Sequence, residues 1–120
     1  MRQVIESQLS EIPHEMTSTA FEIPGYRVVG NKGVVRGVVV RSRSFIGTFG
    51  AGLQSLLGGN ISIFTELAER TREQAFDTML IQAHLAGAHA VIGVRYDATE
   101  MMQGTTEVLC YGTAVTLVRA

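Results

Sequence analysis

The sequence predicts an α+β domain, an antiparallel sheet packed against two helices. Three observations carry the prediction. Runs rich in β-branched residues, "YRVV" from Tyr26, "VVRGVVV" from Val34, "AHAVIGVRYD" from Ala88 and "TEVLCYGTAVTLVRA" from Thr106, read as strands. The span from Ser62 to Ala86 repeats apolar residues at helical spacing, and Ser44 to Gly59 does so more weakly.

At 120 residues the chain suits one compact domain, which would bury about 65% of its unfolded surface. It is 46% hydrophobic and 18% charged, with no apolar run near the ~20 residues that span a bilayer. The first residues lack the apolar core and cleavage site of a secretory signal, and a single cysteine cannot close an internal disulfide. A soluble, cytoplasmic protein is expected. "MRQVIESQLSEIPHE" has few apolar positions and Met16 opens a second plausible start, so residues 1–20 read as an optional or mobile extension outside the core and residues 21–120 as the domain.

The first strand region, "YRVV", breaks at "GNKG" before "VVRGVVV", the pattern of a hairpin or two short strands, with a bulge expected at Gly37. In "SFIGTFGAGLQSLLGG", Phe45, Phe49, Leu53 and Leu56 keep helical spacing, Ser44 is placed to cap the start and Gly58-Gly59 to stop it. Its glycines do not build a phosphate cradle: no lysine follows them as a Walker loop requires, and Gly47, Gly50 and Gly52 miss the dinucleotide spacing. Close packing of another backbone is the better reason for Gly50, Ala51 and Gly52.

The long helix places Phe64, Leu67, Ala68, Ala75, Met79, Ala83 and Ala86 on one stripe, with charges opposite and Gly87 as its stop. The final strand is apolar on both parities: Val108, Cys110, Ala114 and Val118 on one, Leu109, Tyr111, Val115 and Leu117 on the other. A strand covered on both faces needs two layers around it. With only two helices in the chain, the second cover is expected from another subunit.

Charge is unevenly spread although the net is −1. No acid lies between Glu22 and Glu66, while Arg27, Lys32, Arg36, Arg41 and Arg43 fall in that interval. Such asymmetry marks either an anion or nucleic-acid surface or complementary faces of neighbouring subunits. No aromatic residues interleave these cations as in a stacking platform, which disfavours nucleic acid.

The blocks "GAHAVIGVRYD" (Gly87 to Asp97) and "GTAV" (Gly112 to Val115), after a helix bearing "LLGG" and a long charged helix, resemble the YbjQ-like family of small prokaryotic proteins, which carries a heavy-metal-binding label. The resemblance covers about Phe21 to Arg119. It implies a dodecin-like α+β subunit assembled as a homopentameric ring, with no established reaction. The long N-terminal extension departs from the family pattern.

The residues themselves offer little to a zinc-type ion, which wants about four ligands. There are one cysteine and three histidines, without CxxC or HxxxH spacing, and His84 and His89 straddle a helix end. A two-residue turn at Gln103-Gly104 would set Met102 against Thr105, Glu100 against Glu107 and Asp97 against Cys110. Two facing carboxylates are tolerated if the tip frays, if one is protonated or if a cation lies between them. Cys110, Glu100 and Glu107 are therefore the candidate metal ligands, with Met101 or Met102 nearby and neighbouring copies completing a half-site. The alternative for Cys110 is a small buried hydrophobe.

No nucleophile has a visible base and orienting partner, so an enzyme is not expected. The function expected is a non-enzymatic ring protein binding a heavy metal or small ligand at subunit interfaces. The alternatives are an interaction module without metal, or anion binding through Arg27 to Arg43.

Overall fold

The computed structural model describes residues 12–42 and 61–120. A single 3-10 turn at His14–Met16 precedes strand β1 (Tyr26–Ser42), helix α1 (Ile61–Leu85), strand β2 (Ala90–Met102) and strand β3 (Thr105–Arg119). The expected second helix, Ser44 to Gly59, lies outside the described residues. The strands form an antiparallel sheet in the order β1-β3-β2. The chain's last strand is thus the middle one, which accounts for apolar residues on both of its parities.

β1 corrects the expected hairpin. It runs unbroken for 17 residues, and both halves pair with β3. The turn-forming "GNKG" is spent on two irregularities, between Val28 and Gly30 and between Asn31 and Gly33, rather than on a reversal. Asn31 Oδ1 accepts the Gly33 N–H at 2.7 Å and Gly33 takes φ +98°, so the local turn chemistry is satisfied inside the strand.

Gly37, where a bulge was expected, is regularly paired with Cys110. Its role is close approach: a Cβ there would lie 1.9 Å from the Ala75 carbonyl oxygen, so α1 rests directly on β1 at this point.

α1 turns Leu67, Thr71, Ala75, Met79 and Ala83 to the sheet, a four-residue repeat joined by Leu80. Ala68 and Ala86, placed on the same stripe from sequence, are exposed. Gly87 closes the helix as expected, with φ +82° and the bond pair Gly87 N–H to His84 and Ala88 N–H to Ala83 that defines a Schellman end.

On the helix-facing side, Val35, Val39, Cys110, Ala114 and Val91 pack beneath Ala75, Met79 and Ala83. On the opposite side, Val115, Leu117, Ala90 and Ile92 pack with Ile23, Met16 and Tyr26. Part of that second cover, which the sequence led us to expect from another subunit, comes from the chain itself. Ile12, counted with the extension in the sequence reading, is buried in the helix-side core.

The segment is fastened along the outer edge of β2 by Ser18 N–H to Val91, Gly93 N–H to Ala20 and Val94 N–H to Ser18. Arg95 adds a bond from its guanidinium to the Thr19 carbonyl at 2.8 Å and lies 5.9 Å from the Phe21 ring centroid.

Candidate functional site

Residues paired across an antiparallel ladder share a face, so the register builds the sites row by row. β3 is regular throughout, and every irregularity falls on its neighbours. On the helix side the rows read Gly37-Cys110-Tyr96, Val39-Val108-Ala98 and Arg41-Thr106-Glu100. On the far side they read Arg36-Tyr111-Arg95, Val38-Leu109-Asp97 and Val40-Glu107-Thr99.

These rows correct the expected facing pairs. Met102 does oppose Thr105, but an irregularity between Glu100 and Met102 slips the rest by one residue. Glu100 opposes Thr106, Glu107 opposes Thr99, and Tyr96 rather than Asp97 opposes Cys110. The slip puts Glu100 and Glu107 on opposite faces, which removes the like-charge contact. Glu100 shares a face with Cys110 but stands two rows away, about 13 Å at strand rise. The three candidate ligands are not brought together within one chain, and among the described residues no three His, Cys, Asp or Glu side chains gather.

Cys110 is fully buried beneath α1, with its Sγ 3.7 Å from Met79 Sδ. Burial pushes the thiol up, partly offset by a hydrogen bond with Tyr96. Tyr96 in turn is pushed up to about 12, first by burial and then by Cys110. Two soft sulfurs do not fit a four-ligand zinc-type ion; as a donor pair they fit only a thiophilic one.

The histidines have other work. His14 meets the Phe76 ring edge-on at 4.9 Å and Asp77 at 3.9 Å, holding the N-terminal turn to α1. His89 Nδ1 accepts the Leu117 N–H at 2.9 Å, and His84 lies in the last turn of α1.

α1 touches the sheet closely at Gly37 but leaves a gap nearer its N-terminal end. There a cavity of about 260 Å³ opens under Leu67, Ala68, Thr71 and Arg72, with Arg41, Thr106, Val108 and Ala98 below. Thr71 is turned away chemically, its buried hydroxyl donating to the Leu67 carbonyl at 2.9 Å. Arg41 donates to Gln74 Oε1, and the Arg72 guanidinium carbon lies 5.6 Å from the Tyr96 ring centroid. Sequence reading missed Arg72, Tyr96 and Met79 as site residues. Met79 was legible only as core, and the other two depend on the slipped register.

The described basic side chains of β1 do not form one patch. Arg36 and Arg41 point to opposite faces of a regularly paired stretch. The far-side surface instead carries Val34, Val38 and Val40, all exposed, next to half-buried Leu109 and Tyr111. Among the described residues, nothing pairs with the outer edge of β1, and β2 is covered only as far as Val94.

A small α+β domain, with three antiparallel strands and one long covering helix among its described residues, is the class this geometry defines. The chain belongs to the YbjQ family, described as "Putative heavy-metal-binding", whose sequence model matches residues 16–118. It is 62% identical over 109 residues to a UPF0145 protein of Solibacter usitatus, covering 91% of this chain and 97% of that one. It is 58% identical over 106 residues to a UPF0145 protein of Burkholderia mallei, covering 88% and 96%. A crystal structure of a DUF74-family protein of unknown function from Pediococcus pentosaceus aligns over 85% of this chain and 96% of that one, at 17% identity and a TM-score of 0.45. No helix among the described residues is long and apolar enough to cross a membrane.

Proposed function

We propose that the protein works as a head-to-tail homo-oligomer, a ring of five copies as the family resemblance implies, that binds a ligand and does not transform one. The observation that carries this reading is the pair of sheet edges, opposite in charge, that no strand among the described residues pairs. β1 bears only cations, Arg27, Lys32, Arg36 and Arg41, whereas the open part of β2 bears Asp97 and Glu100, its Arg95 being held by Thr19. An edge of one copy meeting the other edge of the next is a heterologous contact, and such contacts close into rings when the rotation permits. Val34, Val38 and Val40 beside the basic edge supply apolar area that a neighbour would bury.

Light scattering tests it. The wild-type chain is expected to run as a multiple of its 13.0 kDa mass at micromolar concentration, and Val38→Asp to shift it toward single copies without loss of secondary structure. A wild-type protein that stays a single copy under those conditions sinks the ring.

A second reading is favoured by the adjacent sulfurs. Cys110 and Met79 would hold a thiophilic ion such as monovalent copper, matching the family's description. Elemental analysis of protein purified without an affinity tag is expected to find the ion in proportion to chain, and to find it lost in Cys110→Ala. Metal-free protein, or metal retained in that variant, rejects this reading.

A further inference from the structure

The outer edges of the sheet are not covered evenly along their length. On β1 the Arg36 N–H turns away from β3 and donates to Gln82 Oε1 of α1 at 2.6 Å. The seat of the helix brings Gln82 there: Gly37 admits the Ala75 carbonyl and the Met79 amide, and Gln82 follows almost one turn later. On β2, Ser18 and Ala20 take the outward groups of Val91, Gly93 and Val94 through three main-chain bonds, and the Arg95 guanidinium holds the Thr19 carbonyl.

The two covers end at one level, because Arg36, Tyr111 and Arg95 form a single row of the sheet. From that row toward Tyr26, β1 also carries its two irregularities, between Val28 and Gly30 and between Asn31 and Gly33. Irregularities, and a side chain or segment laid over outward amides, are devices that keep a sheet edge from pairing. From the same row toward the Gln103-Gly104 turn, no described strand pairs with the outer side of Val38 and Val40 or of Asp97 to Met102. β1 and β2 each run antiparallel to β3 and therefore parallel to one another, so copies set side by side bring these two segments together at the same height.

We infer that Gln82 and residues 17–20 are guards on the two edges. They confine pairing between copies to the half of the sheet nearer the Gln103-Gly104 turn, with β1 from Gly37 to Val40 against β2 from Asp97 to Met102 of the next copy. This rests on the ring reading and adds its register. Sliding one copy along the next would require the Arg36 amide or the Val91 to Val94 edge, and both are already bonded. A fixed register makes every contact alike, which closing a ring requires.

The test is thiol crosslinking of the full chain, followed by mass under denaturing conditions. The buried native Cys110 stays out of the reaction. Val40→Cys combined with Thr99→Cys is expected to link most chains to their neighbours through a short bifunctional reagent, and Val28→Cys combined with Thr19→Cys, in the guarded half, is expected to leave them unlinked. Gln82→Leu removes the acceptor and is expected to give species larger than the wild-type oligomer in light scattering, with helix content unchanged. Gln82→Glu keeps an oxygen acceptor and is expected to keep the wild-type mass.

An oligomer whose Val40 and Thr99 substitutions do not link, or whose Val28 and Thr19 substitutions link equally well, overturns the inference and leaves the ring standing. So does Gln82→Leu at the wild-type mass. A wild-type chain that stays a single copy removes the ring itself, and the two failures are told apart by light scattering before any reagent is added.

Discussion

Tyr96 and Cys110 face each other in one row of the sheet; Cys110 raises the cost of ionising Tyr96, whereas the hydrogen bond with Tyr96 eases ionisation of Cys110. For both groups burial comes first among the causes, so the folded state favours the neutral phenol and the neutral thiol. The folded pKa values lie above the unfolded ones, about 10 for a tyrosine and about 9 for a cysteine. The stability these groups contribute is therefore fully present below about pH 9 and is lost as pH rises through their folded values, up to about 12 for Tyr96. Urea midpoints are expected to decline from about pH 9 upward, with a gentler slope in Cys110→Ala. In an absorbance titration, one of the three tyrosines should ionise late. The Cys110 thiol should resist alkylation until the protein unfolds, because no part of it reaches solvent. A thiol that reacts rapidly in the native protein contradicts that placement.

At the scale of elements, the contact of α1 with β1 depends on Gly37. A methyl group there would meet the Ala75 carbonyl and the Met79 amide at 1.9 and 2.7 Å, both main chain, which cannot rotate aside. Gly37→Ala is expected to cost about 3 kcal/mol, the upper end of overpacking penalties. Gly33→Ala, with nothing near its Cβ but φ +98°, should cost only about 1 kcal/mol. Chemical denaturation of the two variants checks the order. If they prove equal, the helix does not rest on Gly37.

The helix and the final hairpin were legible in sequence because each is written in local signals. A four-residue apolar repeat, Gly87 in the left-handed region and the Gln103-Gly104 turn need no distant partner to be recognised. β1 was misread because "GNKG" has the composition of a reversal. What decides between reversal and irregularity is whether the two halves pair with each other or with a common neighbour, here β3. The candidate ligands suffered from the same kind of blindness. One residue of slip near Met101 exchanged Asp97 for Tyr96 opposite Cys110 and parted Glu100 from Glu107.

For the whole molecule, the consequence of three strands among the described residues is two edges that no described strand pairs, and long exposed edges are a standing invitation to pairing. The ring reading makes a prediction at this scale beyond its mass. Alternate amides of β1, those directed away from β3, should exchange slowly with deuterium in the wild-type protein and quickly in Val38→Asp. Equal exchange in both would mean that the β1 edge is not where copies meet. Gln82 Oε1 already accepts the Arg36 N–H, so this one amide is an internal reference that should differ least.

The amino-acid sequence by itself determined the α+β class of fold, the long helix from Ile61 to Leu85 with its end, the closing hairpin and the demand that the last strand be covered on both sides. Those properties follow from periodicity and backbone preference, which act over a few residues. Only the tertiary structure decided that residues 12–26 supply much of the second cover, that Cys110 lies with Met79 and away from the acids, and that a cavity opens between Arg41 and Arg72. Each of these depends on strand register and helix seating, which are set by contacts between residues far apart in the chain.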